Sequence, residues 1–166
     1  MIIRKSSFIL SCLFILCLLA CEQQKIDEAD MVVMELPHWS LSTLEKESFK
    51  NRYAFDTRIN PFYLNVDVNG DKNLDLAAVV IEKASGRRGM IVLEQATDSL
   101  HVFGAGTQNS LGGANWNWLI GWKAEDRLTA GSGVAKNVGT AFILFTDKNT
   151  ANWLYWDGHE WEWITQ

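Results

Sequence analysis

The run Asn152-Trp153-Leu154-Tyr155-Trp156-Asp157-Gly158-His159-Glu160-Trp161-Glu162-Trp163-Ile164 decides the fold class. Two stretches of aromatic and branched residues flank an Asp-Gly pair, a strong short-range signal for a hairpin closed by a type I′ turn. A two-residue loop at Asp157-Gly158 sets Trp156 opposite His159, Leu154 opposite Trp161 and Asn152 opposite Trp163. Because strand side chains alternate with a period of two, one face then holds Leu154, Trp156, Trp161 and Trp163. The other holds Trp153, Tyr155, Glu160, Glu162 and Ile164. Cross-strand aromatic pairs contribute roughly 0.2–1 kcal/mol each. A longer loop slips the register and exchanges the faces of one strand.

Upstream the chain reads in the same way. Phe62 to Val68 alternates, with Phe62, Leu64, Val66 and Val68 on one side. Leu74 to Ile81 and Met90 to Leu93 are apolar on both sides, as central strands covered on both faces require. Lys83 to Gly89 reads as the hairpin link between them. Leu100 to Phe103, Trp116 to Trp122 and Phe142 to Phe145 are three further strands. Before them, Ser42 with Glu45 fits a capping box and predicts one helix over about 42–53, with Leu44, Phe49 and Tyr53 on its apolar side. The predicted fold is α+β, a predominantly antiparallel sheet with one N-terminal helix.

The first residues are a different kind of segment. Arg4 and Lys5 precede an apolar stretch from Phe8 to Ala20, broken only by Ser11. It is short of the roughly 20 residues that a spanning helix needs and fits a signal-peptide core. Its end, Leu18-Leu19-Ala20-Cys21, resembles the lipobox of bacterial lipoproteins. That resemblance implies a signal peptide at 1–20 that is removed, and a lipidated Cys21. Several acyl chains then hold the protein on a membrane, at about 0.8 kcal/mol per buried methylene. Residues 21–36 read as the lipidated cysteine and a polar tether, and 37–166 as a single β-rich domain. No aspartate follows Cys21, which in lipoproteins favours the outer membrane.

Cysteine usage and charge narrow the function classes. Cys12 and Cys17 leave with the signal and Cys21 carries the lipid, so the mature domain keeps no thiol for a disulfide, a nucleophile or a metal. Removing Arg4 and Lys5 leaves 13 basic against 20 acidic residues, a net charge of −7. Without a basic patch, nucleic acid is not an expected partner. A composition with eight tryptophans and two prolines argues for a packed domain.

The clearest chemical pattern is Asp67-Val68-Asn69-Gly70-Asp71-Lys72-Asn73-Leu74-Asp75. An oxygen-bearing side chain at every second position can wrap a hard cation that takes six to eight oxygens. The candidate metal ligands are Asp67, Asn69, Asp71, Asn73 through its carbonyl, and Asp75, with calcium as the cofactor. The segment resembles the calcium loops of FG-GAP repeats and, more distantly, those of dockerins and EF-hands. It departs from them at Lys72, where the EF-hand has glycine, and at Ala78, where it has a bidentate glutamate. A polar turn whose Asx side chains bond their own backbone is the alternative. No second copy is present, so a repeat propeller is excluded.

Trp116 and Trp118 form the candidate ligand-binding pair, beside the glycine-rich loop from Gly104 to Gly113. Exposed tryptophans anchor ligands and interfaces, whereas buried ones pack a core. Gly131-Ser132-Gly133 lacks the flanking glycines of a nucleophile elbow. His38, His101 and His159 show no metal spacing. The general layout is similar to small lipoproteins of the Bacteroidetes type, which carry no activity to transfer. The expected function is a membrane-anchored, non-catalytic envelope module that binds a glycan or a protein. A structural or assembly component and a hydrolase of envelope glycans are the alternatives.

Overall fold

The computed structural model describes residues 35–108, 110–126, 138–148 and 150–165. The segment read as a signal peptide, Cys21, and the part of the expected tether up to residue 34 lie outside the described residues. Leu36, assigned to the tether by its sequence, is buried in the domain, and Glu35 offers its carbonyl to the Tyr63 hydroxyl at 3.0 Å.

Among the described residues, nine strands form two antiparallel sheets. The first contains β1 (Tyr53–Phe55), β2 (Tyr63–Val66), β3 (Asp75–Glu82), β4 (Arg88–Leu93) and β5 (Leu100–Gly104), in the order β1-β3-β4-β5. β2 shares the outer edge of β3 with β1: β1 lies beside Val80 to Glu82 and β2 beside Asp75 to Ala78. The second sheet is a meander of β6 (Leu119–Glu125), β7 (Ala141–Thr146), β8 (Ala151–Trp156) and β9 (Trp161–Thr165).

Sequence pattern explains why β3 and β4 sit centrally. Ala77, Val79, Met90 and Val92 enter the core between the sheets with Trp116, Trp122, Phe142, Leu144 and Leu154. Their neighbours Leu76, Ala78, Val80, Ile91 and Leu93 enter a second core on the opposite face, roofed by Leu36, Leu44 and Phe49. Both faces of these strands are therefore dry, and each fully buried branched side chain contributes about 1.5–3 kcal/mol. Trp122 ties the sheets at one side by donating its indole N–H to the Pro61 carbonyl at 2.6 Å.

The N-terminal helix is shorter and broken. A 3₁₀ turn (His38–Ser40) leads into α1 (Leu41–Leu44), and α2 (Glu47–Lys50) follows after an extended Lys46. Tyr53 has already joined β1. Leu44 and Phe49 are five apart, which on one helix points them about 140° from each other. Breaking the helix at Lys46 lets both enter the same core. The capping box does not form, because the Ser42 hydroxyl donates back to the Trp39 carbonyl at 3.2 Å.

The C-terminal hairpin keeps its faces but not its register. Trp156 pairs with Trp161, Leu154 with Trp163 and Asn152 with Thr165. The loop has four residues, 157–160, because the Asp157 carboxylate caps the amides of His159 and Glu160 at 2.7 and 2.8 Å. Those amides hold the Asp157 carboxyl below its usual range, Glu160's first. The register has slipped by two residues, a whole period, so Leu154, Trp161 and Trp163 still meet the inner core. Phe62 also departs from expectation. It lies before β2 and packs on Phe55 and Tyr63, in the core opposite Leu64 and Val66.

Candidate functional site

The β2–β3 connection carries the aspartate pattern. Asp67 Oδ1 accepts the amides of Gly70 (2.6 Å) and Asp71 (3.2 Å), and its Oδ2 accepts that of Lys72 (2.9 Å). Asn69 caps Asp71, and Asp71 caps Asn73 at 2.7 Å, which lowers the Asp71 carboxyl. Gly70 and Lys72 take positive φ, 77° and 73°, to close this chain of Asx turns. The loop is seated on the second sheet by the Thr140 amide, which donates to the Asp67 carbonyl at 2.7 Å.

Asp75 behaves differently from the other four. It is 0% exposed, and its two oxygens accept the amides of Val68 and Gln95, each at 3.0 Å. Burial pushes its carboxyl up, and those two amides hold it back. It is a strut between two loops, spending one acceptor position of each oxygen on a backbone amide. Asp67, Asn69 and Asp71 stay together, linked by their own hydrogen bonds, and the Asn73 carbonyl follows them on the exposed loop. These residues fit a cation as a partial oxygen set. Among the described residues no group of three or more His, Cys, Asp or Glu side chains converges on a metal position.

The second candidate lies where edge strand β5 faces edge strand β9. Phe103, Trp116, Trp118, Trp161 and Trp163 touch ring to ring, and His101 packs on Trp161 at 5.6 Å between centroids. Trp116 is 0% exposed and donates its indole N–H to the Leu111 carbonyl at 3.3 Å. As a wholly buried ring it forms the floor beneath Trp118. Trp118 is only partly buried, resting on Trp116 at 5.4 Å and edge-on to Trp163 at 5.9 Å. Gly112 makes this fit possible: at φ +71°, a Cβ there would stand 2.6 Å from the Trp163 ring and 2.9 Å from the Trp116 nitrogen. His101 is also engaged by Glu94, 2.8 Å away.

A cluster that the sequence reading missed lies close by. Asp56, just past β1, is 1% exposed. Arg58 grips its carboxylate with both arms of the guanidinium, Nε reaching Oδ1 at 2.7 Å and Nη2 reaching Oδ2. Arg88, at the head of β4, brings its Nε to 3.2 Å from the same Oδ2. The Arg88 carbonyl accepts the amides of Ala105 and Trp116, both at 2.8 Å, so the cluster abuts the tryptophan loop. Asp56 follows a strand too short to stand out in the sequence, and Arg88 is the first residue of β4, so no local pattern marked the pair.

No known protein family matches the chain, and no curated protein or solved structure is significantly similar to it. Among the described residues no helix is long and apolar enough to cross a membrane.

Proposed function

We propose that the chain is a lipid-anchored protein of the bacterial cell envelope, on the outer membrane, whose domain is a non-catalytic module that binds a glycan at the β5–β9 edge. The observation that carries the binding reading is Trp118: partly exposed, at the rim of a glycine-rich loop, and fixed from beneath by buried Trp116. A rigid aromatic ring loses little conformational freedom on binding and presents a flat apolar face to a sugar ring. The lipobox residues Leu18 to Cys21 support the anchor. His101 is held between Glu94 and Trp161.

Calcium belongs to the proposal as a structural ion at Asp67, Asn69, Asp71 and the Asn73 carbonyl. When bound it would neutralise the loop's carboxylates, while Asp75 braces the loop from inside. The burial of Trp116 equally favours a structural, assembly role for the aromatic cluster. Titrating envelope polysaccharides against intrinsic tryptophan fluorescence separates these readings. A saturable change that Trp118→Ala abolishes is the expected result. No change with any polysaccharide would leave the structural role standing and refute glycan binding.

A further inference from the structure

We infer that Arg88 and Arg58, held on the buried carboxylate of Asp56 beside the tryptophan loop, form an anion-recognising subsite, and that the glycan is an acidic saccharide bearing carboxylates. This rests on the glycan reading of Trp118 and narrows it to a substrate class.

Arg58 makes a fork on Asp56, with one bond to each carboxylate oxygen. Arg88 then adds a second permanent cation to the same single anion, leaving one positive charge in excess. Its Nε is buried and makes no hydrogen bond, although Asp56 Oδ2 lies within 3.2 Å. That one N–H is left without a hydrogen bond, while the rest of the side chain is partly open to solvent.

Access and position agree. The Arg88 side chain is 24% exposed and that of Arg58 50%, so solvent reaches the cluster. Arg88 shares its strand face with Met90 and Val92, which point between the sheets. Its amide is fixed by Asn115 at 3.1 Å and its carbonyl by Trp116 at 2.8 Å, two residues from Trp118. The planar fork of arginine matches a carboxylate, and the indole offers a surface to a pyranose ring. A uronic acid residue presents both features in one unit.

The test uses the full-length protein in mild detergent, with tetragalacturonate and its methyl ester as probes, read by tryptophan fluorescence. The acid should bind at least tenfold more tightly than the ester. Arg88→Gln and Arg58→Gln should each weaken the acid at least tenfold and leave the ester little changed. Circular dichroism checks folding, and if Arg88→Gln does not fold, Arg88→Lys and the half-exposed Arg58→Gln decide. Equal binding of acid and ester, or unaffected arginine variants, overturns the inference; if Trp118→Ala still abolishes polysaccharide binding, the glycan reading survives that result. Tetraglutamate competing as well as tetragalacturonate also overturns it. No response to any saccharide overturns both.

Discussion

Replacing Asp75 with Ala or Asn separates an internal strut from a cation ligand. In Asp75→Ala the amides of Val68 and Gln95 lose their only acceptor in a fully buried place. Each orphaned amide costs about 1–3 kcal/mol, so the two together cost about 2–6 kcal/mol. The gain from no longer burying a carboxylate offsets part of this. Asp75→Asn keeps one acceptor oxygen but turns an NH₂ toward the other amide, for a loss of about 1–3 kcal/mol. Each kcal/mol corresponds to roughly 3–5 °C in a domain of this size. Because the folded carboxyl is raised, wild-type stability from this group is greatest at low pH and declines as pH rises through its folded value. The deficit of Asp75→Asn therefore narrows as pH rises above the ordinary aspartate value of 3.8. Thermal melts followed by tryptophan fluorescence, with chelator and with millimolar calcium, measure all of this. A loss under about 0.5 kcal/mol in chelator, or a loss seen only with calcium, would refute the strut.

Three further outcomes follow from the geometry. Gly89→Ala should prevent or severely weaken folding, by about 3 kcal/mol or more, because its Cβ would overlap the Phe103 carbonyl and the Ala105 amide; Gly86→Ala, in open space at φ +68°, should cost only about 1 kcal/mol, and urea denaturation compares them. Asp157 has a lowered carboxyl, so its contribution is present above pH 3.8 and is lost as pH falls through its folded value; Asp157→Asn should flatten the acid limb of stability against pH while keeping the hairpin by circular dichroism. Calcium should raise the melting temperature of the wild type, and the rise should vanish in Asp71→Ala; an equal rise in that variant would remove the ion from the loop.

Much of the architecture was legible because its signals are local. The stretches read as apolar on both sides, Leu74 to Ile81 and Met90 to Leu93, fall in the doubly covered strands Asp75–Glu82 and Arg88–Leu93. The hairpin was legible to within one period, and the miss lay in a carboxylate that could cap two amides and open the turn. The helix was misread because its periodicity needed a break at Lys46 to bring Leu44 and Phe49 together. Asp75 matched the ligand spacing, but sequence spacing does not say which loop amides will reach a side chain. The Asp56–Arg88 contact joins residues 32 positions apart and depends on strand pairing through β3. Trp116 and Trp118 stood out together as a candidate ligand-binding pair, but only packing distinguishes the floor from the rim.

The proposed anchor is a lipid on Cys21, and mass spectrometry of the protein extracted from membranes of the producing cell checks it. The expected N-terminal peptide begins at Cys21 and carries the mass of a diacylglyceryl thioether with its acylated amine. A peptide that runs unbroken through Ala20 and Cys21 with a free thiol would contradict it.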